Sequence, residues 1–444
     1  MRKIIILLSI LSICLTIDTT APNGYEWQFL IPTLFFILYL SFNPSKNKVG
    51  MGYYVLNIIW IIRYCITPVV IRFSGYQIMN RGFVTVQDLY YAELLMIVEM
   101  IVIFIFCHFY IKGRDRENRT RKNITMAPIN DFNSISLTAA VIMVVLSLII
   151  IAIDNSVING FNSIFRSQLE RGGHASYGIF VLILQWTKIV VTIFIVSKIV
   201  ENYKSRHNAF AVVASTLAIL VSISFFHGTS RNEVLIEALA YTYLLVLLFP
   251  RYKNRIYIAC LIMLGSVLLI ITFVRFFGTR DILEGLDNYT LERIAITLNS
   301  YFAGQQNVAI GVSSLRLFLN EYSILTLFKD IFANTIFINQ FVSNINGTVY
   351  FFNYSFYGHT LWADQISPTI TQSVALFNVL GIFVPGIIAY FIMKFDNTSN
   401  QSKNIYGIFI ATYVAVNLAF YSPGNITILS TSLFNRFIMK SECG

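Results

Sequence analysis

The sequence predicts an all-α polytopic integral membrane protein, with about 12 transmembrane helices and one large extracytoplasmic loop that carries interfacial helices. Composition is the first observation behind this prediction. Hydrophobic residues make up 56% of the 444 positions, charged residues only 12%, and the mean hydropathy is +0.67. Soluble chains carry about 25% charged residues, so this chain lacks the charge to solvate a water-facing fold. Soluble enzymes and nucleic-acid-binding proteins are thereby excluded.

Long apolar runs are the second observation. A helix needs about 20 apolar residues to cross the hydrocarbon core of a bilayer. Candidate runs lie at 3–17, 28–43, 53–73, 90–111, 134–153, 177–199, 209–226, 232–249, 256–274, 369–393, 405–421 and 424–439. The chain therefore divides into membrane helices one to nine at 1–276, a large extracytoplasmic loop at 277–368, and membrane helices ten to twelve at 369–444.

The distribution of charge is the third observation. With the N-terminus inside, every inner connection is basic, and most of the 32 Lys and Arg residues fall there. The short outer connections carry only Arg81, Arg166, Arg171 and Arg231. This asymmetry is the positive-inside pattern of a multi-pass protein of the cytoplasmic membrane, with both termini cytoplasmic. Topology thus accounts for the net charge of +10, and nucleic acid is not expected as a partner.

Two segments have more than one interpretation. Met1–Thr20 begins like a signal peptide but has no small-residue cleavage site, which favours an uncleaved first helix. Within the large loop, apolar residues at helical spacing around Asn299 and Gln305 predict helices lying at or dipping into the outer interface. The later part of the loop is rich in Phe, Tyr and Asn. These residue types suit a membrane-interface belt and also sugar binding.

Arginines dominate the charges predicted at the outer surface. A guanidinium pairs with phosphate oxygens and keeps its charge, so a cluster can hold a pyrophosphate without a metal. The alternative is contact with lipid head groups or pairing with acids such as Glu170 and Glu233. The candidate pyrophosphate ligands are Arg166, Arg171, Arg231, Arg275, Arg280 and Arg293.

A proton acceptor is the second requirement of group transfer to a hydroxyl. His359, with Asp364 close in sequence, is the first candidate, although a lone histidine is often structural. Charged residues inside the predicted spans form either a proton or ion path or buried pairs. They are Arg63, Glu93, Glu99, Lys188 and Glu237.

Several expected signatures are missing from the sequence. The five cysteines show no CxxC spacing, and four lie in apolar runs, so neither a disulfide framework nor a metal site is predicted. The chain has no Walker A loop, HExxH, GxSxG or DxD motif. ATP-driven transport, metalloprotease chemistry and metal-dependent nucleotide-sugar transfer therefore lack support. No cofactor is expected.

With its architecture and the motifs "GTSR", "SYFAGQQNVAIGV" and "DQISPTITQS", the chain resembles the Wzy family of O-antigen and capsular repeat-unit polymerases. The interval from Arg293 to Gly304 also fits the Arg-x10-Gly pattern described for these enzymes, whereas Arg166 to Gly178 is one residue too long. The resemblance implies a GT-C-like fold and inverting, metal-independent glycosyl transfer on the outer face. Undecaprenyl-pyrophosphate-linked oligosaccharides would be both donor and acceptor.

The resemblance also implies roles and partners. The arginines would hold the donor pyrophosphate, and His359 or Asp364 would take the proton from the acceptor hydroxyl. The partners would be the lipid-linked substrate in the membrane and a chain-length regulator and flippase of the same pathway. Three alternatives remain: a glycan ligase, a lipid-linked-oligosaccharide flippase, and a carrier-sugar glycosyltransferase with its acid at Asp18 or Glu26. The predicted glycan contacts are Tyr301, Gln305, Gln306, Asn307 and Trp362.

Overall fold

The computed structural model describes residues 2–42, 50–76, 83–120, 136–159, 178–206, 209–225, 231–260, 262, 288–332, 341, 345–359, 365–427 and 429–430, and the regular structure in these ranges is helical. The helices are α1 Arg2–Thr16, α2 Leu30–Ser41, α3 Met51–Ile61, α4 Thr67–Phe73, α5 Val86–Thr120, α6 Leu137–Ile153, α7 Ser156–Asn159, α8 Gly178–Arg206, α9 Ala209–Ser224, α10 Arg231–Leu248, α11 Asn288–Phe302, α12 Gln305–Phe318, α13 Ile324–Phe332, α14 Thr348–Tyr357, α15 Thr369–Phe377, α16 Val384–Gln401 and α17 Ile405–Tyr421. A π-helical turn, Ile62–Ile66, joins α3 to α4.

Membrane-spanning character is clear from the helices themselves. Within the described residues, four helical stretches are long and apolar enough to cross a bilayer: Met51–Phe73, Val86–Arg114, Phe180–Tyr203 and Thr369–Gln401, the last of which contains the 3₁₀ turn described below. The pair Glu233–Leu248 and Pro250–Cys260, bent by 111°, makes a fifth if it is one span. Four shorter helices are also apolar, namely α2, α6, α9 and α17. The all-helical membrane character is therefore confirmed, while the count of twelve spans stays a prediction.

Several helices bury small polar residues and expose large apolar ones. The inner stripe of α9 is Ala211, Ser215, Ile219 and Ser222, and the stripes of α1 and α6 also contain serines. On the opposite face of α9, Phe210 is 71% exposed. In a lipid solvent large apolar side chains gain nothing from burial, whereas small residues let helices approach closely. This arrangement explains why the apolar runs show little amphipathic periodicity.

The chain forms two compact units. The first contains Met1–Lys122, Gly285–Lys394 and Asn417–Gly444, and the second contains Asn123–Glu284 and Phe395–Val416. In the second unit α8 packs against α6 and α9, and α9 packs against α10. Ser147 bonds Thr187 at 2.6 Å, and Lys188 pairs with Glu237 at 2.8 Å, within this unit.

In the first unit, α12 is the central helix. It packs against α5, α11, α14 and α15, and every residue from Gln305 to Ser314 is buried. The sequence predicts that helices of the 277–368 segment lie at or dip into the outer interface. α12 is buried in the core of the first unit, where its amide and hydroxyl groups find partners on neighbouring elements, and its depth relative to the membrane interface stays a prediction. Helix α13 fits the interfacial prediction better: Thr326 and Asp330 are buried, while Ile324 is 71% exposed.

The predicted tenth span, 369–393, is not one straight helix. A Cβ added to Gly381 would lie 2.1 Å from the carbonyl oxygen of Ser373. Residues eight positions apart on a straight α-helix are separated by about 12 Å, so the chain must fold back between them. The reversal coincides with Asn378, whose φ of +51° is left-handed. The apolar run therefore comprises a short helix, α15, a 3₁₀ turn over Asn378–Phe383, and the longer α16.

Candidate functional site

The first connection between helices, residues 17–29, is bonded to the start of α12. Gln305 donates from Nε2 to the carbonyl oxygen of Gly24 at 3.0 Å, and Gln306 donates from Nε2 to the hydroxyl of Tyr25 at 2.6 Å. The loop also rests on α5, because a Cβ on Gly24 would lie 2.8 Å from Leu89 Cδ1. The charge pattern predicts the outer face both for this connection and for the 277–368 segment.

A second connection, residues 74–85, is joined to the other end of α12. Arg316 pairs with Asp88 at 3.0 Å and donates to the carbonyl oxygen of Phe83 at 2.9 Å. Ser313 donates to the same carbonyl at 3.0 Å. The carboxylate of Asp88 is 2% exposed, so the guanidinium supplies the charge that its burial requires. This connection too is predicted to lie on the outer face, and α12 thus joins three segments assigned to one side.

A carboxylate and an arginine meet at the surface of this region. Asp18 accepts from the side chain and the backbone N–H of Thr20 and from Tyr76, and it lies 3.3 Å from Arg72 Nε. These hydrogen bonds, with the guanidinium, lower the pKa of Asp18 below its usual value. The group is therefore ionised at neutral pH.

Glu26 is the second surface carboxylate. Its side chain accepts from the hydroxyl of Tyr90 at 2.8 Å and from the backbone N–H of Gly24 at 2.7 Å. Backbone hydrogen bonding, that of Glu26 itself first, lowers the pKa of this carboxyl below its usual value. A catalytic acid needs a raised pKa at neutral pH. Neither Asp18 nor Glu26 is therefore suited to act as the acid.

Beneath the surface layer, a buried ion pair links α5 to the π-helical turn. Arg63 Nη1 and Nη2 lie 2.9 and 2.7 Å from the two carboxylate oxygens of Glu99, and the side chains are 2% and 1% exposed. Arg63 Nε also donates to the carbonyl oxygen of Ala303 at 3.0 Å. Ala303 has a left-handed φ of +50° and joins α11 to α12. The arginine thus fixes the α11–α12 turn against the membrane helices.

A small cavity adjoins this ion pair. It has room for about one water molecule. Trp60, Pro385, Ala389 and Pro423 are among its lining residues, together with the ion pair itself. The cavity is too small for a sugar, so its neighbourhood serves packing and charge compensation rather than substrate binding.

A second buried polar cluster is centred on Asp330 of α13. The carboxylate accepts from the backbone N–H and hydroxyl of Thr348 and from Nε2 of Gln372, the last at 3.1 Å. Gln372 in turn accepts from the backbone N–H of Ile426 at 2.7 Å. Burial raises the pKa of Asp330 to about 6, against the effect of these hydrogen bonds. The cluster connects α13, α14, α15 and the segment after α17.

Helix α14 is rich in aromatic residues, which stack on neighbouring rings. Tyr354 stacks on Phe83 with a centroid distance of 6.4 Å, and Tyr357 stacks on His359 at 5.6 Å. The hydroxyl of Tyr357 accepts from Gln365 Nε2 at 2.8 Å. His359 is partly exposed. The helix ends at Gly358, whose left-handed φ of +73° terminates it just before the histidine.

The structure describes some of the predicted site residues and not others. Arg231 begins α10 and Arg293 lies in α11, while their side chains lie outside the described part of the chain. The following lie outside the described residues altogether: Arg166, Arg171, Arg275, Arg280, Trp362 and Asp364. The predicted pyrophosphate cluster accordingly stays a prediction.

The predicted glycan contacts are divided by burial. Tyr301 is 51% exposed, as a contact residue should be. Gln305, Gln306 and Asn307 are buried, and their amide nitrogens donate within the protein, Asn307 to the carbonyl oxygen of Ile366 at 3.1 Å. These three amides hold the unit together in this conformation, because α12 passes through its centre.

Most of the charged residues inside the predicted spans form ion pairs. Arg63 with Glu99, and Lys188 with Glu237, form the buried pairs that were one of two interpretations of these residues. Sequence reasoning missed Asp330, whose signal was Thr326 and Asp330 one turn apart on a helix with Lys329 as its one other polar residue. Lone carboxylates on loop helices are usually solvated, so this spacing is weak evidence without the partners.

Taken together, the fold and its polar clusters define a helical membrane protein whose first unit buries an extensive hydrogen-bonded network. The chain matches no protein-family model, no curated protein and no solved structure.

Proposed function

We propose that this protein polymerises undecaprenyl-pyrophosphate-linked oligosaccharide units at the outer face of a bacterial cytoplasmic membrane, by inverting, metal-independent glycosyl transfer. One observation carries most weight. Helix α12, in the predicted outer loop, is bonded to two of the connections that the charge pattern predicts to be outside, residues 17–29 and 74–85. A long segment anchored beside the membrane helices suits a polymerase, which must hold two lipid-linked chains at the same surface.

The chemistry of this segment supports the same proposal. Helix α13 exposes Ile324, Leu325 and Phe328, which favours contact with hydrocarbon. Helix α14 offers aromatic side chains, Tyr350 being 39% exposed, and the apolar face of a sugar ring packs well on such rings. A surface with both properties fits a substrate that has a lipid tail and a glycan head.

Two residues of the first unit would carry the reaction. His359, partly exposed beside Tyr357, would accept the proton of the attacking sugar hydroxyl. Arg293 would bind the donor pyrophosphate and stabilise its charge as the glycosidic bond breaks. The bond from the anomeric carbon to the pyrophosphate oxygen breaks as the bond to the acceptor oxygen forms, so the lipid pyrophosphate leaves.

The other functional classes have less support. A flippase or transporter would use charges within the spans, yet four of the five, Arg63, Glu99, Lys188 and Glu237, neutralise one another in pairs, and Glu93 alone has no such partner among the described residues. A carrier-sugar transferase with an acid at Asp18 or Glu26 would need a protonated carboxyl, whereas the pKa of both is lowered.

The test is the size distribution of surface glycan, resolved on a gel, in cells whose chromosomal copy is deleted and replaced by variants. We expect deletion to leave single repeat units at the surface and to remove long chains. His359→Ala and Arg293→Ala should each reduce polymer by about 10²-fold or more at normal protein level. His108→Ala, at an exposed position of α5, is the matched control and should give a full ladder. Long chains in the deletion strain, or a normal ladder from both site variants, would contradict the proposal.

A further inference from the structure

Glu93 of α5 is a buried carboxylate outside the groups described above. It is 3% exposed, and neither of its oxygens accepts a hydrogen bond from any described residue. An ionised carboxylate is costly to bury in or beside hydrocarbon unless it is compensated. The acids that share its helix differ in this respect: Glu99 pairs with Arg63, and Asp88 pairs with Arg316.

Three buried amide oxygens belong to the two elements that contact this part of α5, the first connection and α12. Gln28 Oε1, Gln305 Oε1 and Gln306 Oε1 accept no hydrogen bond within the described chain. Gln28 is 1% exposed, Gln305 1% and Gln306 4%. The amide nitrogens of Gln305 and Gln306 are already bound to Gly24 and Tyr25, which determines the direction of each oxygen. Gln28 Nε2 is likewise without a partner in the described chain. Buried polar atoms normally have a partner, so such groups on three elements that contact one another point to a ligand.

Contacts between the first connection and α5 bring these groups together. Gly24 lies against Leu89, and Glu26 bonds Tyr90 at 2.8 Å. On a helix, Glu93 lies one turn further along the same side as Leu89 and Tyr90. The carboxylate of Glu93 therefore lies one turn beyond the loop to which Gln305 and Gln306 are bonded.

We propose that Glu93, Gln28, Gln305 and Gln306 form a site for a monovalent alkali cation, with Na⁺ as the expected occupant. Carboxylate and amide carbonyl oxygens are the ligands that hard cations prefer. Glu93 with the neutral amides balances one positive charge. Glu26, the other carboxylate that interacts with Glu93 electrostatically, is already bonded to Tyr90 and to the backbone of Gly24. The described residues contain no group of three His, Cys, Asp or Glu side chains that would hold a metal ion of higher charge. Bound Na⁺ would compensate Glu93 and tie the first connection to α12.

The test is direct binding to the purified full-length protein in detergent. Radiolabelled sodium should bind saturably and be displaced by unlabelled Na⁺ but not by choline. At constant ionic strength, replacing choline chloride with NaCl should raise the unfolding temperature by about 5 °C. Glu93→Gln, which keeps the shape of the side chain, should abolish both effects. Gln28→Met should raise the half-saturating Na⁺ concentration by about tenfold or more, and it carries the test if Glu93→Gln folds poorly.

Glu292→Gln is the matched control, because Glu292 is a partly exposed glutamate of the same unit on α11. It should bind sodium like the unaltered protein. Equal unfolding temperatures in choline and sodium salts, with no displaceable sodium, would overturn the proposal and leave water as the partner of these oxygens. Sodium binding that persists in both Glu93→Gln and Gln28→Met would also overturn it. Because these measurements detect binding alone, their outcome does not depend on the polymerase proposal.

Discussion

Arg63 and Glu99 form the most deeply buried charge pair that the structure describes in the first unit. Removing one partner of such a pair leaves an uncompensated charge, which typically costs 3–5 kcal/mol. We therefore expect Glu99→Gln to lower the free energy of unfolding by about 3 kcal/mol or more. Thermal unfolding in detergent measures this. Arg63→Met combined with Glu99→Leu should recover most of the loss, and an unchanged unfolding temperature in Glu99→Gln would contradict the role given to the pair.

The carboxyl group of Asp330 should make the stability of the protein depend on pH. Its pKa is about 6 in the folded protein and 3.8 when unfolded, so the folded state binds the proton more tightly. The contribution of this group to stability is largest below the unfolded pKa. This contribution is lost as pH rises towards 6. The total loss is about 3 kcal/mol, because each pKa unit corresponds to about 1.36 kcal/mol.

Unfolding temperatures between pH 4 and 7 check this expectation for Asp330. The unaltered protein should lose stability relative to Asp330→Asn as pH rises through this window, because only the carboxylate becomes charged. Lys329 and Tyr322 are the other titratable groups that interact electrostatically with Asp330. Tyr322 does not titrate in this window, because burial raises its pKa to about 12. Parallel pH profiles for the two proteins would refute the assignment.

Individual residues were predictable where chemistry alone restricts them. The intramembrane charges had to be paired or functional, because lipid does not solvate them, and four of the five are paired. The buried state of Gln305, Gln306 and Asn307 was not predictable, since an amide suits a glycan groove and a protein core equally. Their donors are bound to residues as distant in sequence as Gly24, which no local pattern reveals.

At the scale of elements, the reversal between α15 and α16 depends on a glycine. Gly381 lies so close to the Ser373 carbonyl that any side chain must displace backbone. We expect Gly381→Ala to destabilise the protein by about 1–3 kcal/mol, the range found for overpacked sites. Gly113→Ala is the control, because a Cβ there meets nothing within 4 Å. Unfolding temperature and folded yield in detergent compare the two variants. Equal stability would mean that α15 and α16 do not fold back on each other.

Predicted and observed elements agree best for continuous apolar runs. The predicted spans 53–73 and 90–111 correspond to Met51–Phe73 and Val86–Arg114. The predicted span 369–393 likewise corresponds to Thr369–Gln401. Its internal turn at Asn378 was not predictable, because hydropathy measures composition and is insensitive to a reversal at one residue. Helix α12 carries amides and serines that resemble a surface helix, yet the connections around it supply the hydrogen-bond partners.

At the scale of the whole molecule, the predicted topology can be tested by labelling. In a variant without native cysteines, we expect Thr20→Cys and Tyr350→Cys to react with a membrane-impermeant maleimide in intact cells. Gln401→Cys, in the connection predicted to be inside, should react only after permeabilisation. The reason is that basic connections remain in the cytoplasm, whereas α12 joins the connections predicted outside. Labelling of Gln401→Cys in intact cells would invert the topology and remove the outer-face site.

Composition and charge distribution by themselves determined that this chain is a helical membrane protein, because lipid imposes length, apolarity and charge asymmetry on any spanning segment. They also indicated which side chains are chemically notable. Only the tertiary structure decided that Arg63 binds Glu99 and Ala303, that Asp330 binds Thr348 and Gln372, and that α12 is a core helix. Such contacts join residues up to hundreds of positions apart. Their energies depend on burial and direction, which become defined only when the helices pack.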